Sequence, residues 1–368
     1  MGPFDPRKVI IDCSAELEDV LALLKAFASG RRALEVLLIS VTNLSGRIVP
    51  GLDNVVSMFD HLKEELMWRR QKHYRIRYDE LEDPSNRPVV SVGCDQPLES
   101  STTGLALSEI WQNVHSDQGP TSFFTASRKP AHEEILQVLR DNEPGSITIV
   151  AIGPLTTIAT AARSDPDTFL RAKEVLVVGG SMDATEILAK PENNISQDPL
   201  AAAQLFALTS STPSSTMPLA ASYPEHLDSL PRLRILLFPQ SSTKGYAINR
   251  TDLQGFARAG DDSPLLLWIK PTLELSDDDD LHSSRLHVPG TMALTYAATS
   301  FDYEWSGSDP KDIRVNLTGD TTGLYVVEES NTSCGNQLYI RYNEAPSSYG
   351  LILVPTIFTR GPPSKVGI

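Results

Sequence analysis

The sequence predicts an α/β protein built on a Rossmann-like, doubly wound, mostly parallel sheet with antiparallel hairpins at its C-terminal edge. Three observations lead there. Short apolar runs such as Val9-Ile10-Ile11 have the character of strands covered on both faces. Segments of helical periodicity separate them. The order strand, helix, strand occurs near the start of the chain and again after residue 146.

The opening unit reads as a buried strand over Lys8–Asp12, a polar turn, and an apolar-periodic helix from Glu18 to Ser29. Gly30 stops that helix, and a strand over Glu35–Thr42 follows, so the helix is the crossover of a parallel pair. Residues 71–142 are less regular, with strand, loop and short helices among Pro-, Gly- and Ser-rich stretches. They end in a helix over Ala131–Arg140 that places Ile135, Leu136 and Leu139 on one face. Ser146–Ile152 is a strand, Pro154–Arg163 a helix, Glu174–Val178 a strand and Pro199–Ala207 a helix; Ser214–Pro218 leads into a further strand. The acidic run Ser276–Asp280 reads as a solvated loop, lacking the spaced ligands and turning Gly of a calcium loop. Alternation in Gly323–Val327 and Leu338–Arg341 indicates the hairpins, over about 310–360. Residues 1–368 are expected to form one domain with its core over about 8–300.

Composition narrows the function. With 47 acidic against 32 basic side chains and a formal charge of −15, the chain repels a phosphate backbone, and no nucleic-acid partner is expected. No apolar run approaches the roughly 20 residues that cross a bilayer, and no secretory h-region is visible at the start. Cys13, Cys94 and Cys334 are odd in number and far apart, which favours a reducing compartment. A cytoplasmic protein without membrane contact is the expectation.

Four ordered blocks carry a more specific signal. They are Ile10-Ile-Asp-Cys-Ser-Ala-Glu-Leu-Glu-Asp-Val-Leu-Ala-Leu23; Leu38-Ile-Ser-Val-Thr-Asn43 with Asn54 downstream; Ile149-Val-Ala-Ile-Gly-Pro-Leu-Thr-Thr-Ile-Ala159 with Val177-Val-Gly-Gly180 and Glu192-Asn-Asn-Ile-Ser-Gln-Asp-Pro-Leu-Ala-Ala202; and Met217-Pro-Leu219. In this order and spacing they resemble the inosine-uridine-preferring nucleoside hydrolases. The resemblance implies a nucleoside hydrolase fold and assembly as a homodimer or homotetramer. It also implies cleavage of a ribosyl C–N bond by a calcium-held water, with hard oxygen ligands around the cation.

Residue by residue, the resemblance weakens at the cation. Asp12 and Asp19 match the first and last aspartates of D-x-D-P-G-x-D-D, but the second, which binds metal and activates water, is Ser14. Ala15-Glu16 replaces Pro-Gly, which implies an altered turn, and Glu18 replaces the ribose-contacting aspartate. Ile152 can still offer a backbone carbonyl. Pro289-Gly290 stands where a late His-Asp pair belongs, and Ala220-Ala-Ser-Tyr223 stands where D-V-T-H belongs. The ribose side is better kept, with Glu192 and Asn194 matching E-x-N and Asn43 near the mouth.

The candidate catalytic residues are therefore Glu18 and Asp19, and the candidate substrate-binding residues Asp12, Ser14, Asn43, Glu192 and Asn194. No metal ligand set and no cofactor is expected. The bland alternatives are that Asp12 merely ends a strand, Asp19 and Glu18 complement a helix dipole, and Glu192 and Asn194 cap a loop. His115, His282 and His287 are weaker acid–base candidates, and Cys13 reads as a packed thiol. The reading is a nucleoside hydrolase-like protein with a small-molecule pocket for a ribosyl or similar metabolite, repurposed as a biosynthetic enzyme with metal-independent chemistry. An N-ribohydrolase with rearranged ligands and a non-catalytic binding or scaffold protein are the alternatives.

Overall fold

The computed structural model describes residues 6–100, 106–114, 122–185, 193–218, 223–243, 247–249, 262–274, 285–299, 305–327 and 337–342. Its first unit is the predicted one. Strand β1 (Arg7–Cys13) leads into helix α1 (Leu17–Ser29) and strand β2 (Leu34–Val41), and β1 and β2 pair in parallel. Five consecutive residues of β1, Val9 to Cys13, are fully buried, so the strand carries no polar alternation. Helix α1 stops where expected, because Gly30 takes φ 77, a left-handed conformation that costs glycine nothing.

The remaining strands are β3 (Val89–Val92), β4 (Thr125–Ala126), β5 (Ile147–Ala151), β6 (Glu174–Val178), β7 (Ile235–Phe238), β8 (Ala247–Asn249), β9 (Arg285–His287), β10 (Trp305–Gly307), β11 (Ile313–Val315), β12 (Tyr325–Val327) and β13 (Gln337–Tyr342). The main sheet runs β10-β13-β7-β6-β5-β1-β2-β3-β4, and every neighbouring pair is parallel except β10 against β13. The chain enters the sheet at the interior strand β1 and winds outward in both directions. This doubly wound order makes the carboxyl ends of β1 and β5 a switch point, where open α/β sheets bind ligands.

Two apolar clusters cover the faces of the sheet. One joins α1, helix α2 (Ile48–Gln71) and the Pro289–Thr299 helix. The other joins helix α3 (Ala131–Asp141), helix α4 (Thr156–Ser164) and the Pro199–Ala207 helix, with Ile135, Leu136 and Leu139 buried as their spacing required. No described helix is long and apolar enough to cross a membrane.

Two expectations need adjustment. Residues Pro213–Thr216 form a helical turn where a lead-in to a strand was expected, because Pro213 opens a turn as a first helical residue does; residues 219–222 lie outside the described set. Near the C-terminus, β11 and β12 form the predicted antiparallel hairpin but stand apart from the main sheet. Strand β13 pairs antiparallel with β10, yet it also lies parallel to β7 and so sits inside the edge rather than at it. Its period-2 pattern did not distinguish these neighbours, since alternation reports which faces a strand presents and not which strand lies beside it.

Candidate active site

Both candidate aspartates of the first block are buried, and they solve their burial differently. Asp12 is fully buried near the end of β1, where its carbonyl accepts from the Ile152 and Gly153 N–H groups. Its Oδ1 accepts from the Ser40 hydroxyl at 2.5 Å and the Thr42 hydroxyl at 2.8 Å. Thr42 Oγ1 lies 2.5 Å from Thr157 Oγ1, which in turn accepts the Cys94 N–H. A hydroxyl has one proton, so the order is fixed: Cys94 N–H to Thr157, Thr157 to Thr42, Thr42 to Asp12. Among the described residues, Asp12 Oδ2 has no partner. Burial pushes the Asp12 carboxyl up to about 7, against the pull of Ser40 and Thr42.

Asp19 instead closes the turn that precedes it. Its Oδ2 accepts the Ser14 N–H at 2.9 Å, the Ser14 hydroxyl at 2.6 Å and the Ala15 N–H at 3.0 Å. Burial pushes its carboxyl up and neighbouring Glu18 pushes the same way, while the Ser14 bonds pull it down. Glu18 is also raised, chiefly by burial. The turn adopts a shape that a proline at Ala15 could not take. Ala15 stands at φ 57, a value closed to proline, whose ring holds φ near −65°. Gly51 and Gly153 press on this turn. A Cβ at Gly51 would lie 2.9 Å from the Ser14 carbonyl oxygen, and one at Gly153 would lie 2.8 Å from the Ser14 nitrogen.

Asn43 serves the same turn. Its Oδ1 accepts the Ser45 and Arg47 N–H groups, and its Nδ2 donates to the Ser14 carbonyl at 3.3 Å. The carbonyl of Ile152 was expected to be available, but Asn194 Nδ2 donates to it at 2.8 Å and to the Val178 carbonyl at 3.1 Å. Gly290 lies against Ile152 and Ala22, where a Cβ would come within 3.2 and 3.3 Å of their side chains. Glu192, His115 and His282 lie outside the described residues. His287 ends β9 opposite Ala247, and Cys13 is buried in the core with its thiol pushed well up by burial. Among the described residues, no group of three or more His, Cys, Asp or Glu is placed to hold a metal ion.

The structure thus gathers Asp12, Ser14, Asp19, Asn43 and Asn194 at the carboxyl edge of β1, β5 and β6. Reading by motif missed the hydroxyls of Ser40, Thr42 and Thr157. Ser40 and Thr42 are two apart in a buried strand and so share a face, a signal that period-2 reasoning contains. Tyr325 was also missed. Its hydroxyl donates to the Gly179 carbonyl at 3.1 Å and its N–H to the Ser181 carbonyl, which pins the β11–β12 hairpin to the end of β6.

Comparison with known proteins identifies the family and the fold. The family model described as inosine-uridine preferring nucleoside hydrolase matches residues 9–343. An uncharacterized protein of Schizosaccharomyces pombe is 30% identical over 228 residues, covering 60% of this chain and 63% of that protein. The inosine-uridine preferring nucleoside hydrolase of Crithidia fasciculata is 28% identical, covering 55% of this chain and 57% of that enzyme, so the matches span about 60% of these relatives' lengths. Among solved structures, a plant nucleoside hydrolase superposes with a TM-score of 0.62 at 19% identity, covering 97% of this chain and 100% of that one. The structure from Bacillus anthracis gives 0.61 at 12%, covering 95% and 99%. The chain belongs to the inosine-uridine preferring nucleoside hydrolase family.

Proposed function

We propose that this protein is a repurposed member of its family, a small-molecule enzyme whose pocket lies at the carboxyl edge of β1 and β5 and whose chemistry does not run through calcium. The observation that carries this reading is the amide of Asn194, an N–H donor seated on the Ile152 carbonyl that a cation would need. Calcium takes six to eight oxygens, and several must be anionic. Here Ser14 and Gly290 supply no charge, Asp19 Oδ2 is committed to the Ser14–Ala15 turn, and Asp12 is held toward its neutral form. The donor set therefore does not fit the cation that the resemblance implies.

What remains is a different tool. Asp12 Oδ1 accepts two hydroxyls, so the proton of the neutral acid resides on Oδ2, the oxygen without a partner. A carboxyl near 7 can give or take a proton at neutral pH, which suits general acid–base work on a polar metabolite. Glu18 and Asp19 lie in the first turn of α1, just beyond the Ser14–Ala15 turn, and Asn194 stands at the carboxyl ends of β5 and β6. The likeness to nucleoside hydrolases makes a ribosyl compound the first ligand class to try.

The test is elemental analysis of the purified protein together with a free-base release assay on inosine and uridine, with and without chelator. We expect no stoichiometric calcium and feeble release. Ser14→Asp alone should leave release feeble, because residues that act as a unit do not restore function singly. One calcium per chain with robust, chelator-sensitive release would overturn the proposal and establish a working N-ribohydrolase instead.

A further inference from the structure

Helix α4 opens on two consecutive threonines, Thr156 and Thr157, and both are buried. Each serves a different carboxylate. Thr156 donates to Asp198 Oδ2 at 2.7 Å, and the same oxygen accepts the Leu98 N–H at 2.9 Å, while Asp198 Oδ1 accepts the Ala201 N–H at 3.1 Å. Asp198 is thereby a joint of the scaffold, tying the loop after β3 to the starts of α4 and of the Pro199–Ala207 helix. Thr157 has a different end point. Its oxygen takes the Cys94 N–H at 2.8 Å, its proton goes to Thr42 at 2.5 Å, and Thr42 donates to Asp12 Oδ1 at 2.8 Å. That row of hydroxyls stops at a carboxyl whose other oxygen, Oδ2, has no partner among the described residues.

The row is closely built. Gly93 presses on it, since a Cβ there would lie 2.4 Å from Thr42 Oγ1, 2.6 Å from Thr157 Oγ1 and 2.8 Å from the Val41 carbonyl oxygen. The main chain fixes its head on both sides: the Gly93 N–H is held by the Val41 carbonyl at 2.8 Å, and the Cys94 carbonyl accepts the Asn43 N–H at 3.1 Å. This matters because a row of hydroxyls can run in either direction. Reversed, Thr42 would turn its proton toward Thr157, and Asp12 Oδ1 would keep only the Ser40 bond. The Cys94 N–H at the head sets the forward direction, because Thr157 then has its own proton to place and Thr42 is the acceptor beside it. Bonds in such a row also polarise one another, by roughly 10–30% per bond.

We propose that Thr157 is a positioning residue for Asp12: it carries the direction set by the Cys94 amide through Thr42 to Oδ1, so that the acid proton of Asp12 stays on Oδ2, the oxygen left for a ligand. The assignment rests on the acid–base role proposed for Asp12. Thr157 itself touches Thr42 and the Cys94 main chain and acts only through them. Thr156, one residue earlier, has the structural task alone.

The experiment is infrared spectroscopy of the whole chain at pH 5, with carbon-13 in the aspartate carboxyls and Asp12→Asn as the subtraction that isolates the Asp12 band. Burial pushes the Asp12 carboxyl up to about 7, so it is protonated at that pH. A protonated carboxyl absorbs at lower frequency the more strongly its carbonyl oxygen is hydrogen-bonded. Thr157→Val keeps the shape of the side chain and removes the hydroxyl, so the Asp12 band should move to higher frequency, and Thr157→Ser should return it. Thr156→Val removes a hydroxyl from the same turn and loosens Asp198, yet it should leave the Asp12 band in place. If Thr157→Val does not fold, Thr157→Cys, whose thiol is a weaker donor, should move the band the same way. A band unmoved in the Thr157 variants, or moved as far by Thr156→Val, would overturn the positioning role and leave the acid–base reading of Asp12 standing. Absence of a protonated Asp12 band from the unaltered protein would overturn both, since the acid proton would then not be there to place.

Discussion

The two walls of the proposed carboxyl-edge pocket differ in opposite ways. At the β1–α1 wall the family's residues have changed, yet the carboxylates that remain are held in dense networks: Asp12 in a cage of hydroxyls and Asp19 across the Ser14–Ala15 turn. At the β5–β6 wall the motif is kept letter for letter at Asn194, yet its amide is spent on the Ile152 and Val178 carbonyls. Residue identity and availability are separate properties. A kept side chain can have been turned to structural use, and an altered wall can still hold a reactive group, as the unpaired Asp12 Oδ2 does.

The largest effect expected from this contrast is a pH dependence that originates at the first wall. Asp12 moves from 3.8 in the unfolded chain to about 7 in the folded one, so the folded state binds the extra proton between those values. Stability from this group is therefore full below pH 4 and lost as pH rises through 7, by an amount of order 4 kcal/mol. Asp12→Asn preserves the shape and one acceptor and should flatten that part of the profile. Denaturant unfolding from pH 4 to 8 measures it, and parallel slopes in the two proteins would mean that Asp12 carries no such burden.

Next in size is Asp19→Ala. It strands the Ser14 and Ala15 N–H groups in a turn that Gly51 and Gly153 leave no room to relax. One buried and one half-buried donor left without partners cost about 2–4 kcal/mol together. A urea midpoint that does not move would show that water reaches the turn and that the first wall is open rather than packed.

Asn194→Ala sharpens the comparison from the other side. Loss of its two bonds to carbonyls should cost about 1–3 kcal/mol of stability. If the amide belongs wholly to the main chain, affinity for a ribosyl ligand found by thermal-shift screening should change in proportion to that loss of order and not beyond it. A stable variant with sharply weakened ligand binding would return Asn194 to the role that the resemblance implied.

Most of the fold was legible because its signals are local. Buried runs such as Val9–Cys13, the Gly30 stop and the Pro199–Ala207 helix each need only a short window of sequence. The site was legible as a list of positions and illegible as a set of contacts. Nothing in the letters Asn194 says whether the amide meets a ligand or the Ile152 carbonyl, and nothing around Asp12 says that Cys94, 82 residues away, orders the proton chain that reaches it. Those are long-range facts of packing. The same applies to β13, whose pattern is that of any strand and whose place between β7 and β10 depends on a partner about a hundred residues earlier.

Tyr325 is the smallest test and the most local. Tyr325 carries the hairpin onto the second wall: its ring fills the space beside Gly180, where a Cβ would lie 2.1 Å from the ring carbon Cζ, and it meets Phe206 with ring centroids 5.3 Å apart. The hydroxyl donates to the Gly179 carbonyl, just beyond the Val178 carbonyl that Asn194 grips. Tyr325→Phe removes that bond and keeps the ring, so the cost should be about 1 kcal/mol. If the hairpin only covers the core, that loss is the whole effect. If it also fixes the strand end that Asn194 holds, hydrogen exchange at the Gly179 and Ser181 amides should quicken more than at the Val9 and Ile10 amides in β1. Equal protection at both places in the variant would assign Tyr325 to packing alone and leave the second wall held by Asn194.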